Sequence, residues 1–204
     1  MNHLHPFRFH PWHGVPMGSQ APRVVTAYIE ITPDDTVKYE LDKDSGILKV
    51  DRPQLYSNVV PALYGFIPQS YCSDEIAALC MRKTGLKNVK GDGDPLDILV
   101  LTEHRIVHGD ILVQARPIGG LLMIDKNEAD DKIIAVLEQD SMYSQYDDLA
   151  QLPQGVINRL KHYFLTYKKS PEGNQPVEIP TIYGREEAYE VIRAAQVDYL
   201  GMHE

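Results

Sequence analysis

The chain has 204 residues, of which 43% are hydrophobic and 24% are charged, and its formal net charge at pH 7 is −9. This length is enough for one domain with a substantial core, and the composition is that of an ordinary globular protein. The negative charge argues against a nucleic-acid partner, and no apolar run approaches the roughly 20 residues that a membrane helix needs.

Residues 1–22 are rich in His and Pro and show no periodicity. We interpret this segment as an N-terminal arm that packs on the body of the protein or on a neighbouring subunit. Imidazoles suit a transition metal, but without periodic structure a solvent-facing or interface arm is favoured over a metal site. The histidines concerned are His3, His5, His10 and His13.

Two further features indicate the cytoplasm. The N-terminal residues lack the apolar core of a signal peptide. Cys72 and Cys80 are too few and too far apart for a CxxC motif, so they predict reduced thiols, with a single disulfide as the alternative.

Runs of β-branched and aromatic residues predict short strands. They lie at residues 24–31, 37–41, 47–50, 65–67, 98–101, 111–115, 121–124 and 132–137. Asp44, Ser45 and Gly46 join the second and third of these runs as a hairpin. Short strands at this spacing predict a small closed barrel, and residues 72–90 predict an inserted loop with room for one helical turn.

In the last third of the chain the spacing of apolar residues changes from that of strands to that of helices. Apolar residues recur at helical spacing in residues 155–167 and again in residues 186–200. Strands followed by helices predict an α+β fold. We expect residues 1–204 to form one domain, a small closed OB-like β-barrel with the two C-terminal helices packed outside it on one side.

Residues 91–100 read Gly-Asp-Gly-Asp-Pro-Leu-Asp-Ile-Leu-Val, which brings Asp92, Asp94 and Asp97 within six residues. Such crowding of like charge costs free energy unless the carboxylates share cations, and an all-oxygen ligand set suits Mg²⁺ above all. The alternative is an acidic surface turn, which the glycines and Pro95 favour. A curl at Pro95, which interrupts regular pairing, would turn all three side chains toward one point.

A second acidic group precedes the last predicted strand and consists of Asp125, Glu128, Asp130 and Asp131. Taken alone it is typical of a solvated loop. Because it also lies at a strand end, a barrel would bring it against the first group.

Cations and phenols recur at strand and helix ends, namely Lys38, Arg52, Tyr167, Lys168 and Lys169. Individually they have simple explanations, since lysines after a helix complement its dipole and a surface arginine forms weak ion pairs. As a set they suit phosphate oxygens. A protein that collects carboxylates and a few cations is suited to a metal complex of an anionic phosphate.

The sequence Asp-Gly-Asp-Pro-Leu-Asp at 92–97 resembles the signature of the soluble family I inorganic pyrophosphatases. Six further blocks resemble the family in the family's order, within a likeness that spans residues 24–200. They are residues 37–40, 50–52, 61–66, 115–119, 130–136 and 163–168. The His-Pro-Trp-His run at 10–13 and the insertion at 72–90 are similar to a bacterial subgroup that includes chlamydial proteins.

This resemblance implies a Mg²⁺-dependent inorganic diphosphatase that hydrolyses pyrophosphate to two orthophosphates and forms homo-oligomers. It implies that Asp94 is the general base for a water that bridges two metal ions. The implied metal ligands are Asp92, Asp97, Asp125 and Asp130. The implied phosphate contacts are Lys38, Arg52, Tyr64, Lys132, Tyr167 and Lys168, and Glu30 and Glu40 are expected to contact metal-bound waters.

The chain departs from the family pattern at three places. Val60 stands where the family often has Tyr, so a phosphate-side hydroxyl is lost or comes from elsewhere, with Tyr56 as one source. Lys126 stands where an acidic residue is common, which removes a metal contact. The insertion before Gly91 is expected to alter access to the site.

Two other functions are compatible with parts of the sequence. A calcium-binding module is suggested by the twelve residues from Asp92 to Glu103, but Asp97 occupies the sixth position, where an EF-hand loop needs Gly. A nucleotide phosphohydrolase is the second alternative, although the sequence contains no Gly-Lys-Ser/Thr phosphate loop. Phosphate release from pyrophosphate and from ATP distinguishes all three.

Overall fold

The computed structural model describes residues 9–168 and 177–202. In chain order the elements are β1 (Val25–Ile31), β2 (Val37–Leu41), β3 (Leu48–Pro53), β4 (Leu63–Phe66), α1 (Asp74–Thr84), β5 (Lys90–Gly91), β6 (Asp97–Leu101), β7 (Ile111–Asp125), β8 (Glu128–Ala129), β9 (Lys132–Leu137), α2 (Gln154–Thr166), β10 (Val177–Gly184) and α3 (Arg185–Gly201). None of the helices in these ranges combines the length and the apolar character needed to cross a membrane.

Across the described ranges, eight strands form one sheet, and β2 and β3 form a separate hairpin. The pairing runs β1–β4–β6–β9–β7, and β7 also pairs with β1, so that it returns to the first strand. Along this path β6 and β9 are parallel and the other pairs are antiparallel. The predicted combination of a strand-rich body and C-terminal helices is confirmed, whereas the closed OB-like barrel stays a prediction.

The sheet is covered on both faces. Along β6, Ile98 and Val100 belong to one core cluster, whereas Leu99 and Leu101 belong to another. Because successive side chains of a strand point to opposite faces, the two clusters lie on opposite sides of the sheet. Helices α1 and α3 contribute to the first cluster and α2 to the second. The prediction that both C-terminal helices pack on one side was therefore wrong. Strands that are apolar along their whole length form a sheet with two apolar faces, and each face needs a covering layer.

The segment 72–90 was wrongly predicted as a loop with one helical turn, because it contains the 11-residue helix α1. The N-terminal backbone N–H groups of this helix lack a local side-chain cap. Instead, Ser73, Glu75 and Ile76 donate their backbone N–H groups to the carboxylate of Asp198 in α3. A cap supplied from so far along the chain leaves no local signal.

Two strand predictions also needed correction. The runs at 111–115 and 121–124 are one strand, β7, whose pairing with β9 shifts register between Pro117 and Gly119. Pro117 has no backbone N–H to donate to the neighbouring strand, so β7 passes this residue through a bulge. The apolar pattern is interrupted there, and the sequence therefore predicts two strands instead of one. Strand β10 was missed because Pro180 interrupts its pattern, and its register against β7 shifts there as well.

The described part of the N-terminal arm, residues 9–22, packs on the body of the protein. Trp12 and Met17 are each 3% exposed, and the Trp12 indole N–H donates to the Ser70 carbonyl at 2.8 Å. His3 and His5 lie outside the described residues.

Candidate active site

An open cavity of about 220 Å³ lies between the β2–β3 hairpin, the ends of β6, β7 and β9, and the C-terminal end of α2. Lys169, one of the cations noted in the sequence, lies outside the described residues. The cavity is lined by every residue to which the family resemblance assigns a role in the site. These are Glu30, Lys38, Glu40, Arg52, Tyr64, Asp92, Asp94, Asp97, Asp125, Asp130, Lys132, Tyr167 and Lys168.

The first acidic group lies on the loop that joins β5 to β6, and backbone contacts fix this loop. The Gly93 N–H donates to the Cys72 carbonyl at 3.1 Å, and the Cys72 N–H donates to the Asp94 carbonyl at 2.9 Å. A Cβ atom on Gly91 would lie 2.2 Å from the Cys72 oxygen, so only glycine fits this approach. Gly93 has φ +75°, a conformation that glycine adopts at little cost. The loop therefore curls as the sequence suggested, and its three carboxylates reach one cavity.

The second acidic group meets the first because β6 and β9 are adjacent and parallel. Asp97 at the start of β6 lies opposite Lys132 at the start of β9, while Asp125 ends β7 and Asp130 lies just before β9. The fourth acid, Asp131, is buried away from the cavity and accepts a hydrogen bond of 2.7 Å from the Tyr183 hydroxyl.

Lys132 lies at the centre of the two acidic groups, which together form the acidic side of the cavity. It is 2% exposed, and its ammonium group forms ion pairs with both Asp97 and Asp130. Burial alone would lower the pKa of Lys132, but the charges of Asp130 and Asp97 raise it well above its ordinary value. The Tyr64 hydroxyl donates to Asp97 Oδ2 at 2.6 Å, so Tyr64 orients that carboxylate.

The carboxylates outnumber the cation that they surround. Burial, followed by the charge of Asp130, raises the pKa of Asp92, and burial also raises that of Asp97, although Lys132 opposes the rise. Asp125 Oδ1 is buried and has no hydrogen-bond partner in the part of the chain that the structure describes. Excess negative charge with an unpartnered oxygen fits a bound cation, and the all-oxygen donor set fits a hard divalent ion.

The basic side of the cavity comes from the β2–β3 hairpin. Lys38 and Arg52 are paired in register across it, so both side chains lie on one face. Lys38 Nζ lies 2.8 Å from Glu40 and 3.0 Å from Asp51, and Arg52 Nη1 lies 2.5 Å from Asp51. Burial alone would lower the pKa of Lys38, but these two carboxylates raise it. The cations are thus held ready at the cavity by acids outside the aspartate cluster.

The end of α2 completes the cavity wall. Lys168 forms an ion pair with Asp125, and its Nζ lies 5.2 Å from the centre of the Tyr167 ring. The ring of Tyr167 stacks on that of Tyr163, with centroids 5.3 Å apart.

Glu30 connects the hairpin to the main sheet. Its side chain is buried in β1, and Oε1 accepts the Leu41 N–H at 2.7 Å. Burial raises the pKa of Glu30 to about 8, against the lowering effect of that hydrogen bond.

Several residues that line the cavity have no role in the site by sequence reasoning, among them Trp12, Tyr163 and Lys43. Trp12 lies in the predicted N-terminal arm, and Tyr163 lies in the predicted helix of residues 155–167. Lys43 lies in the turn between β2 and β3, and its ammonium group forms an ion pair with Asp94. No local pattern distinguishes it from any other lysine in a polar turn.

The departures from the family pattern have structural consequences. Val60 is fully buried, and Tyr56 is 74% exposed and does not line the cavity, so Tyr56 does not replace the missing hydroxyl. Lys126 is exposed on the turn after β7 and also lies outside the cavity lining. The calcium-module alternative fails because Asp97 begins strand β6, where an EF-hand would continue its loop toward a helix.

Comparisons with known proteins agree with this geometry. The family model described as inorganic pyrophosphatase matches residues 27–200. An inorganic pyrophosphatase of Chlamydia trachomatis serovar L2 is 50% identical over 95% of this chain and 95% of its own length. One from Chlamydia caviae is 52% identical over 94% of this chain and 91% of its own length.

Solved structures give the same result. The crystal structure of an inorganic pyrophosphatase from Thermus thermophilus has a TM-score of 0.78 and 32% identity, and the match covers 94% of this chain and 99% of that one. The predicted likeness to chlamydial members is confirmed by the relatives above. The chain therefore belongs to the inorganic pyrophosphatase family.

Proposed function

We propose that this protein hydrolyses inorganic pyrophosphate to two orthophosphates and uses Mg²⁺ as its cofactor. The observation that carries the proposal is the meeting, in one cavity, of a cluster of aspartates with lysine and arginine side chains opposite. Pyrophosphate is a small and highly charged anion, so it needs cations on several sides. Membership of the pyrophosphatase family supports the choice of substrate.

The acidic side would hold the metal ions. Asp92, Asp97, Asp125 and Asp130 offer the ligand oxygens, and Mg²⁺ bound there would neutralise the diphosphate and lower the pKa of the attacking water. Glu30 and Glu40 would accept hydrogen bonds from the hydration shell of the ions.

Asp94 would act as the general base. Its carboxylate lies on the same loop as Asp92 and Asp97, and its side chain is 49% exposed, so it has room to approach a water molecule. A carboxylate within hydrogen-bonding reach of the water would take its proton as the P–O bond forms.

The remaining residues would bind phosphate oxygens. Lys38, Lys132 and Lys168 offer ammonium groups, Arg52 offers a planar fork suited to two oxygens, and Tyr167 offers a hydroxyl. These contacts would orient the diphosphate and stabilise charge on the departing phosphate. The Tyr64 hydroxyl, which donates to Asp97, would reach the substrate side only by exchanging that partner.

The test is phosphate release by the purified protein from pyrophosphate and from ATP, each with millimolar Mg²⁺ and with excess chelator. We expect release from pyrophosphate that is much faster than from ATP and is abolished by chelation. The isosteric variant Asp94→Asn serves as the matched negative control. No release from pyrophosphate would contradict the proposal, and a preference for ATP would favour a nucleotide phosphohydrolase.

We further propose the cytoplasm as the location and a homo-oligomer as the working form. Cys72 and Cys80 are both free and buried, which supports a reducing compartment. The cyclic pairing of β1, β4, β6, β9 and β7 supports a small OB-like barrel within a single domain. Light scattering of the purified protein measures the oligomer directly.

A further inference from the structure

The N-terminal arm reaches the cavity through residues 10–13, which read His-Pro-Trp-His. Trp12 lines the cavity, although it is only 3% exposed. The segment closes into a turn, because the Gly14 N–H donates to the His10 carbonyl at 2.7 Å. We call residues 10–13 the arm turn.

The hydrogen bonds of His10 define its tautomer. Nδ1 accepts the backbone N–H groups of Trp12 at 3.2 Å and of His13 at 3.4 Å. In a neutral imidazole the other nitrogen then carries the proton. His10 Nε2 therefore donates to the Lys43 carbonyl, 2.9 Å away. The arm turn is thus fastened to the hairpin turn between β2 and β3.

That hairpin turn, residues 42–46, fits closely against His10. Gly46 has φ +69°, and a Cβ atom there would lie 2.8 Å from His10 Cδ2, so this approach requires glycine. Within the turn, Asp42 accepts both the backbone N–H and the hydroxyl of Ser45. A turn fixed in this way gives the Lys43 side chain a defined origin.

The Lys43 side chain extends from the hairpin turn to the loop that carries the aspartates. Its ammonium group forms an ion pair with the Asp94 carboxylate and donates to the Gly93 carbonyl at 3.3 Å. A chain of contacts therefore runs from His10 through Lys43 to Asp94.

A second connection runs through Trp12. Its indole N–H donates to the Ser70 carbonyl at 2.8 Å, and the Ser70 hydroxyl accepts the Leu96 N–H at 2.9 Å. Leu96 lies between Asp94 and Asp97 on the aspartate loop. The arm turn thus contacts the supports of this loop from two sides.

We propose that the arm turn positions the aspartate loop, residues 92–97, and that His10 acts through Lys43 to orient the carboxylate of Asp94. His10, Trp12 and Lys43 are then positioning residues. The inference rests on the proposed function, because it explains how the base of that reaction is held in place. A site whose ligands are held in advance binds and reacts with less loss of conformational entropy.

The first experiment reads metal binding without turnover. Trp12 is the only tryptophan of the chain and lines the cavity, so its fluorescence is expected to change when Mg²⁺ alone is titrated into the wild-type protein. His10→Ala loosens the loop, so we expect its Mg²⁺ midpoint to rise by about three- to tenfold, the range for one lost hydrogen bond. His108→Ala, an exposed histidine outside the cavity lining, is the control and should match the wild type.

The second experiment is a double-mutant cycle on kcat with pyrophosphate. Lys43→Met keeps the carbonyl that His10 binds and removes the contact with Asp94. We expect His10→Ala to lower kcat by about three- to tenfold, Lys43→Met to lower it at least as much, and the double variant to equal Lys43→Met. His10→Gln, whose amide offers both a donor and an acceptor, should restore part of the loss.

These measurements keep the two proposals separate. Inactive wild-type protein would contradict the proposed function, while the Mg²⁺ titration would still test the arm turn. An unchanged Mg²⁺ midpoint in His10→Ala would overturn the inference, as would losses of kcat that multiply in the double variant. If His10→Ala fails to fold, the kcat of Lys43→Met decides alone, and a wild-type value would overturn the inference.

Discussion

The acidic and basic sides of the cavity are built on different parts of the fold. The aspartates extend from the ends of strands in the main sheet, around Lys132, which is 2% exposed. Lys38 and Arg52 belong to a separate two-stranded hairpin, and their side chains are 22% and 38% exposed. The acidic side is therefore anchored in the core through Lys132, Asp125 and Asp130, whereas the basic side belongs to a hairpin outside the main sheet.

This difference matches the work that each side would do. Bringing carboxylates together raises their free energy, so only a rigid frame keeps them in place until cations arrive. The cations of the hairpin already have partners in Glu40 and Asp51, and a phosphate oxygen would exchange with these at little cost. We therefore expect severe effects from changes on the acidic side and graded effects on the basic side.

The largest effect is expected from Asp94→Asn. If Asp94 is the base, kcat should fall by about 10²- to 10⁴-fold with little change in the Mg²⁺ concentration at half-maximal rate. Asp97→Ala removes a metal ligand instead, so added Mg²⁺ should restore part of its activity. Steady-state rates across a Mg²⁺ series measure both. Equal rescue of the two variants by Mg²⁺ would contradict the division of roles.

Lys168→Ala is expected to have the next largest effect, because Lys168 lies where the two sides meet and pairs with Asp125. Loss of one charge-assisted hydrogen bond should lower kcat/KM by about 10- to 100-fold. The control is Lys49→Ala, which removes an exposed cation of the hairpin outside the cavity lining. Wild-type kinetics for Lys168→Ala would make it an ordinary surface cation.

Arg52→Lys should have a smaller effect, because charge is kept and only the planar fork is lost. We expect kcat/KM to fall by about three- to tenfold, mainly through KM. Parallel assays of Lys49→Arg, the reverse exchange on the same hairpin, control for general effects on the hairpin. An Arg52→Lys variant that matches the wild type would show that the fork makes no contact with substrate.

The smallest effect concerns stability without metal. A carboxyl whose folded-state pKa lies above its unfolded value holds more protons when folded, so stability falls as pH rises between the two values. For Glu30 these are about 4.5 and about 8. Glu30→Gln should therefore gain stability relative to the wild type between pH 5 and pH 8, by about 1 kcal/mol or more. Urea unfolding with chelator measures this, and an equal difference at both pH values would contradict it.

The sequence predicted the acidic side better than its supports. The aspartates of residues 92–97 lie in one short motif, and the idea that strand ends meet brings the second acidic group toward them. The family resemblance, not the strand-end argument, singles out Asp125 and Asp130 within that group. In contrast, Lys43 and the cap that Asp198 gives to α1 depend on contacts between distant segments. Such contacts arise from tertiary packing, and no local periodicity or spacing encodes them.

The central claim is that the carboxylate cluster must lose its protons to hold Mg²⁺ and work, so protons and metal compete for the same oxygens. The most direct test measures the rate of pyrophosphate hydrolysis against pH at several Mg²⁺ concentrations spanning about a hundredfold. We predict that activity falls on the acid side and that this limb moves to lower pH as Mg²⁺ rises. An acid limb that stays fixed over the whole range would contradict metal binding at Asp92, Asp97, Asp125 and Asp130.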